Sequence, residues 1–179
     1  GIGKTDFPNK VTALGGRFLY PQNDSQTFDT LNVNYDFGDS SISWSNVSTS
    51  NYAPYNMNYG VAFIGERGVL AANREGWELF PNTETKCIDA PEPQKGKPTN
   101  NEHLAHLKNF IQCIRSRKTE TACSIENGAF CAKLAHMGNI SARVGKTLSY
   151  DDNAKTFADA AADALIKPKY RAPWKFPTI

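Results

Sequence analysis

The chain has 179 residues with 20 basic and 18 acidic side chains, a net charge of +2, and a hydrophobic share of 40%. That length fits one domain able to bury roughly 70% of its unfolded surface without disulfide staples. The near-neutral balance, with no basic run interleaved with aromatics, excludes a nucleic-acid-binding signature, and no apolar run approaches the ~18 residues of a membrane span.

Gly1-Ile2-Gly3-Lys4 lacks an initiator Met and runs almost directly into strand-like sequence, so a piece of a longer protein is expected, with a processed or tagged terminus as the alternative. No stretch reads as a signal peptide. Residues 1–9 are polar and irregular, with Pro8 as a breaker. Val11 to Tyr20 reads as a strand interrupted by Gly15-Gly16, a pair that suggests a bulge or a close backbone approach. Pro21 to Ser25 is turn chemistry. Leu31, Val33, Tyr35 and Phe37 then alternate with Thr30, Asn32, Asn34 and Asp36, the period of two that marks a strand with one apolar and one polar face. After Gly38-Asp39 the pattern repeats with Ile42 and Trp44 against Ser41, Ser43 and Ser45. Further strands are expected at Val61–Gly65, Val69–Ala72 and Trp77–Phe80, joined by links too short for parallel crossovers and therefore antiparallel.

Between the strand holding Trp44 and the one starting at Val61, Ser48 to Tyr59 is rich in Tyr and Asn, a composition that stacks on sugar-like rings and hydrogen-bonds hydroxyls. The same tyrosines could instead only cap a sheet edge. Residues 81–98 hold four prolines and read as a linker. Thr99-Asn100-Asn101-Glu102 is a capping box, followed by an apolar stripe at Leu104, Leu107, Phe110, Ile111 and Ile114. A second helix is expected from about Ser124 to Val144, with Phe130, Leu134, Met137, Ile140 and Val144 as its stripe and Gly145 as its stop. Gly138, in mid-helix, suggests close packing against a neighbour. Thr147 to Tyr150 reads as a short strand, Asp159 as the cap of a small helix ending near Ile166, and Lys169 to Ile179 as an extended arm.

Strands first and helices after is an α+β order. The expected fold is one domain over 1–179: a large, mainly antiparallel, open-faced β-sheet with helices packed on one face. Its parts are a sheet half at 10–80, a linker at 81–98, a helical half at 99–166 and an arm at 167–179. The sheet face bearing Asn32, Asn34, Ser43 and Ser45 stays open.

The chemistry-bearing motifs are few. Gly15-Gly16 and the Gly65/Gly68 pair sit in strand or hairpin contexts, not in the strand-to-helix turn of a phosphate cradle. His103 and His106 share a helical face, but no convincingly spaced carboxylate joins them beyond Glu102, so no metal site is expected. Cys87, Cys113, Cys123 and Cys131 match no zinc or redox spacing and are expected to be reduced, partly buried thiols. Asn23, Asn46 and Asn139 head N-x-S triplets, which carry little weight here. No GxSxG nucleophile turn is present. No complete active site is expected, hence no catalytic and no cofactor-binding residue.

Five strings, KVTALGGRF (10–18), YGVAFIGERGVL (59–70), HLKNFIQCIRSRK (106–118), LAHMGNISARVGKTL (134–148) and KYRAPW (169–174), together resemble the C-terminal domain of the Gfo/Idh/MocA oxidoreductases, in the branch common in Bacteroidetes and Planctomycetes. The resemblance implies a parent enzyme using NAD or NADP on sugars, inositols or related polyols. Its N-terminal Rossmann domain, with the Glu-Lys-Pro lysine and a D-x-x-x-H-like acid/base segment, would lie outside this chain, leaving no cofactor here. It implies a homo-oligomer formed through the open sheet face, and no nucleic acid or membrane partner. Relatives place substrate-touching tyrosines just before the string at 59–70, which makes Tyr55, Asn56, Asn58 and Tyr59 the substrate-facing candidates. Relatives are both cytoplasmic and exported, with a cytoplasmic site favoured. A stand-alone carbohydrate-binding or scaffolding module is the alternative expectation.

Overall fold

A computed structural model describes residues 3–48, 54–83, 89–98, 102–175 and 177. Its elements are β1 (Lys10–Gly16), β2 (Thr30–Asp36), β3 (Ser41–Val47), β4 (Val61–Gly65), β5 (Gly68–Ala72), β6 (Trp77–Pro81), β7 (Gln94–Gly96), α1 (Glu102–Ser116), α2 (Ile125–Val144), β8 (Tyr150–Asp151), β9 (Thr156–Phe157) and α3 (Ala160–Asp163). The fold class is α+β with antiparallel sheets. Among the described residues, however, the strands form a three-stranded sheet β1-β2-β3, a four-stranded sheet β4-β5-β6-β7 and a small β8-β9 pair, not one large layer. The chain groups into two compact units, Gly1–Thr49 with Ser124–Ile179, and Ser50–Cys123. These units cut across the sequential sheet and helical halves: each takes one sheet and one long helix.

In the first unit the register sets Val11, Tyr35 and Ile42 side by side, and likewise Ala13, Val33 and Trp44. Directly opposite residues share a face, so the alternation read from the sequence gives one apolar face. Helix α2 covers it. Val11, Ala13, Val33 and Tyr35 are buried together with Met137, Ile140, Leu148, Phe157 and Ala162. Gly138 is where helix and sheet come closest: a Cβ there would lie 2.9 Å from the Tyr35 Oη and from both Val33 methyls. One turn away, the Tyr35 hydroxyl donates to the Leu134 carbonyl at 2.8 Å, and burial pushes the phenol up to about 12. The caps follow the sequence. The Ser124 side chain accepts from the Asn127 amide, and Gly145 closes the helix at φ 65°. The opposite sheet face, bearing Asn32, Asn34, Ser43 and Ser45, is exposed, and Ser43 donates to Asn34 at 2.6 Å.

Several boundaries differ from expectation, each for a local reason. Strand β1 ends at Gly16 rather than Tyr20 because the Asp29 carboxylate takes the amides of Phe18, Leu19 and Tyr20 at 3.0, 3.0 and 3.2 Å. Amides engaged this way are lost to the ladder. Desolvation pushes the Asp29 carboxyl up, but these three bonds and the Thr30 hydroxyl outweigh it and hold it below the usual range. The expected strand at 147–150 is a single bridge between Leu148 and Val11, followed by β8. Helix α3 stops at Asp163, short of Ile166, although Asp159 caps it as expected.

In the second unit the residues of the expected linker supply β7, which pairs with β6; residues 84–88 lie outside the described set. Gln94, Lys95 and Gly96 carry no period-two signal, so only the open edge of β6 defines this strand. The expected capping box also falls largely outside the described set, at residues 99–101. The expected α1 stripe is not buried: Leu104, Leu107, Phe110, Ile111 and Ile114 are each 45–53% exposed. The buried residue of α1 is Cys113. Its thiol faces the Glu120 carbonyl, and Asn109, one turn earlier, accepts from the Ala122 amide at 2.9 Å. The helix thus packs its Asn109/Cys113 side against the turn that follows it. Cys123 and Cys131 are exposed, contrary to the expected partial burial, and Cys87 lies outside the described residues.

Candidate functional site

The segment leading into β4 is organised by residues with few conformational choices. Pro54 starts a single 3-10 turn over Pro54–Asn56, closed by the Met57 amide donating to the Pro54 carbonyl at 3.4 Å. Tyr55 and Asn56 then both adopt left-handed backbone, at φ 64° and 55°. Asn tolerates that region, but a Tyr there is unusual, and such residues cost of order 1–3 kcal/mol each. The compensation for Tyr55 is visible. Its ring packs on Phe80 of β6, centroids 5.4 Å apart at 40°, a geometry favoured for aromatic pairs. At the other end, a Cβ on Gly60 would lie 2.6 Å from the Ala72 carbonyl, so only glycine allows the chain to enter β4 so close to β5.

Of the four residues read as substrate-facing, the structure therefore divides one from three. Tyr55 is half-buried against Phe80, whereas Asn56, Asn58 and Tyr59 are exposed. None of these three side chains makes a hydrogen bond to a described residue. Residues 49–53 of the same excursion lie outside the described set. No charged side chain occurs between Pro54 and Gly60. The arrangement offers two amides and a phenol, all neutral, able to donate and to accept.

Sequence reasoning missed two features. In the sequence Phe80 is only a strand residue, and nothing local marks it as the seat of Tyr55. On the other face of the same sheet, Phe63, Leu70 and Leu79 stand in one row across β4, β5 and β6 and line a concavity of about 610 Å³ together with Glu66, Arg67 and Pro91. Alternation along each strand marks these residues as co-facial, but the row needs the register. Elsewhere, His103 and His106 are exposed on α1, and no cluster of three or more His, Cys, Asp or Glu able to hold a metal occurs among the described residues.

Comparison with known proteins places the fold. Residues 63–176, more than half of the chain, match the family model described as the C-terminal alpha/beta domain of an oxidoreductase family, Gfo/Idh/MocA. The Bacillus subtilis protein yvaA superposes with a TM-score of 0.56 at 12% identity, covering 81% of this chain and 47% of its own. The aldose-aldose oxidoreductase of Caulobacter crescentus, solved in complex with glycerol, gives 0.50 at 14% identity, covering 80% of this chain and 42% of its own. At these identities the likeness is one of fold. This chain spans less than half the length of either. No curated protein matches the sequence. With more than half of its residues matched, the chain belongs to the Gfo/Idh/MocA oxidoreductase family as its C-terminal α/β domain.

Proposed function

We propose that this chain is the substrate-facing and subunit-assembling part of an oxidoreductase that moves a hydride between NAD or NADP and a carbinol carbon of a sugar or polyol. In this reading a Rossmann domain outside the chain holds the nicotinamide and supplies the proton-transfer groups. The C-terminal domain shapes specificity and brings subunits together. The observation that carries the reading is the family match over residues 63–176.

Two features of the molecule support it. The neutral side chains of Asn56, Asn58 and Tyr59, without hydrogen-bond partners among the described residues, suit hydroxyl groups better than an anion. The family match begins at Phe63, just beyond this loop, so the loop's role rests on its own chemistry. The exposed face of the three-stranded sheet, with Leu14 78% exposed beside Asn32, Asn34, Ser43 and Ser45, suits pairing with a second copy.

Titration calorimetry with NADH and NADPH tests the division of labour. The chain alone is expected to take up neither, and micromolar binding of either would overturn the reading. Light scattering after size exclusion tests assembly: a dimer or larger is expected, and a monomer removes the subunit-assembling role.

A further inference from the structure

We propose that Tyr55 is a positioning residue, whose ring docked on Phe80 holds the loop at 56–59 ready for a neutral polyhydroxylated ligand. This rests on the reading of that loop as ligand-facing and divides its labour. Tyr55 does not reach the ligand; Asn56, Asn58 and Tyr59 do.

Two consecutive non-glycine residues in the left-handed region persist only where surrounding contacts over-determine them. Here the contacts are the Tyr55–Phe80 ring pair and the tight entry of Gly60 past the Ala72 carbonyl. The loop is therefore clamped at both ends, and the four residues between the clamps have few alternatives. Met57 is half-buried, while Asn56, Asn58 and Tyr59 are exposed. Three exposed polar side chains, without hydrogen-bond partners among the described residues, on a backbone held in an unusual conformation form a preorganised surface. Such a surface gains affinity by not having to order itself on binding. The ligand class follows from the residue types. Amides and a phenol pair with hydroxyls as donor and acceptor alike, and the loop carries no cation for a phosphate or carboxylate.

The test is an NMR titration of the unaltered chain with glycerol, myo-inositol and D-glucose, repeated on variants. Asn58→Ala and Tyr59→Phe are expected to weaken the best of these probes. Tyr55→Ala is expected to weaken it by about tenfold or more, and Tyr55→Phe, which keeps the ring, by less than about twofold. Phe80→Leu keeps the strand apolar, removes the aromatic seat, and is expected to reproduce Tyr55→Ala. Rescue by phenylalanine at position 55 is the signature of positioning through the ring. If Asn58→Ala and Tyr59→Phe weaken binding while Tyr55→Ala does not, the positioning role is overturned and the ligand-facing reading stands. If Tyr55→Phe weakens binding as much as Tyr55→Ala, the hydroxyl touches ligand and the division is wrong. If no probe shifts the loop resonances, the ligand-facing reading falls and takes the inference with it.

Discussion

The two units are made of the same materials, an antiparallel sheet and one long helix, yet they are built to different ends. Among the described residues, the first holds nearly all of the buried hydrophobic side chains; only Ala71 and Cys113 belong to the second. In the first, α2 meets the sheet closely enough to need a glycine and to engage a buried tyrosine hydroxyl. In the second, the apolar stripe of α1 stays half exposed, as do Val61 and Trp77 on the four-stranded sheet. Apolar surface left facing water forgoes about 25 cal/mol per Å². The first unit encloses a core, although Leu14, Phe18 and Trp44 of that unit also stay exposed. The second buries few apolar side chains among its described residues, and it is also the unit that carries the candidate loop and the 610 Å³ concavity.

Substitutions show how deep this contrast runs. The largest effect is expected at Met137, buried in the first unit. Met137→Ala should lower stability by roughly 2–5 kcal/mol, whereas Leu107→Ala, on the exposed stripe of α1, should cost well under about 1 kcal/mol. Urea denaturation measures both, and similar losses would abolish the distinction. Next comes Gly138→Ala, whose new methyl meets Val33 and Tyr35 at 2.9 Å. Overpacking of about 1–3 kcal/mol should exceed the ~1 kcal/mol gained in helix propensity, so melting should occur at lower temperature.

Tyr35→Phe removes one hydrogen bond and should cost about 1 kcal/mol. The same hydroxyl makes an alkaline signature. Its pKa in the folded chain is raised to about 12 from the ordinary 10, so the unfolded chain releases the proton first. The contribution is fully present below pH 10 and is lost as pH rises from 10 toward 12. A pH series on the wild type and Tyr35→Phe should show that loss only in the former. The smallest change is expected at Arg117, which ends α1 with φ 56° and lets the Lys118 amide reach the Cys113 carbonyl at 3.1 Å. Arg117→Gly should raise stability by about 0.5–1 kcal/mol, seen as a higher urea midpoint.

Local features were legible in the chain itself. Alternation at 30–37 and 41–45 specified β2 and β3 and their open polar face, because side chains on a strand can point only two ways. Ser124 and Gly145 bounded α2 through the chemistry of helix ends, and Gly138 announced a close approach. The Tyr/Asn-rich segment at 48–59 was legible as a composition, and only the family resemblance narrowed it to four residues. Everything that depends on which segments become neighbours came from the folded state. Folding separated the strands into two sheets, drew Gln94–Gly96 onto a free edge, ended β1 at the carboxylate of Asp29, and turned the Asn109/Cys113 side of α1 inward in place of its leucines. It also parted Tyr55 from its neighbours by giving its ring Phe80 to rest on. The reason is physical. Period and capping act within a few residues of chain, whereas burial and hydrogen-bond competition are settled between segments whose separation along the sequence says nothing about their separation in space.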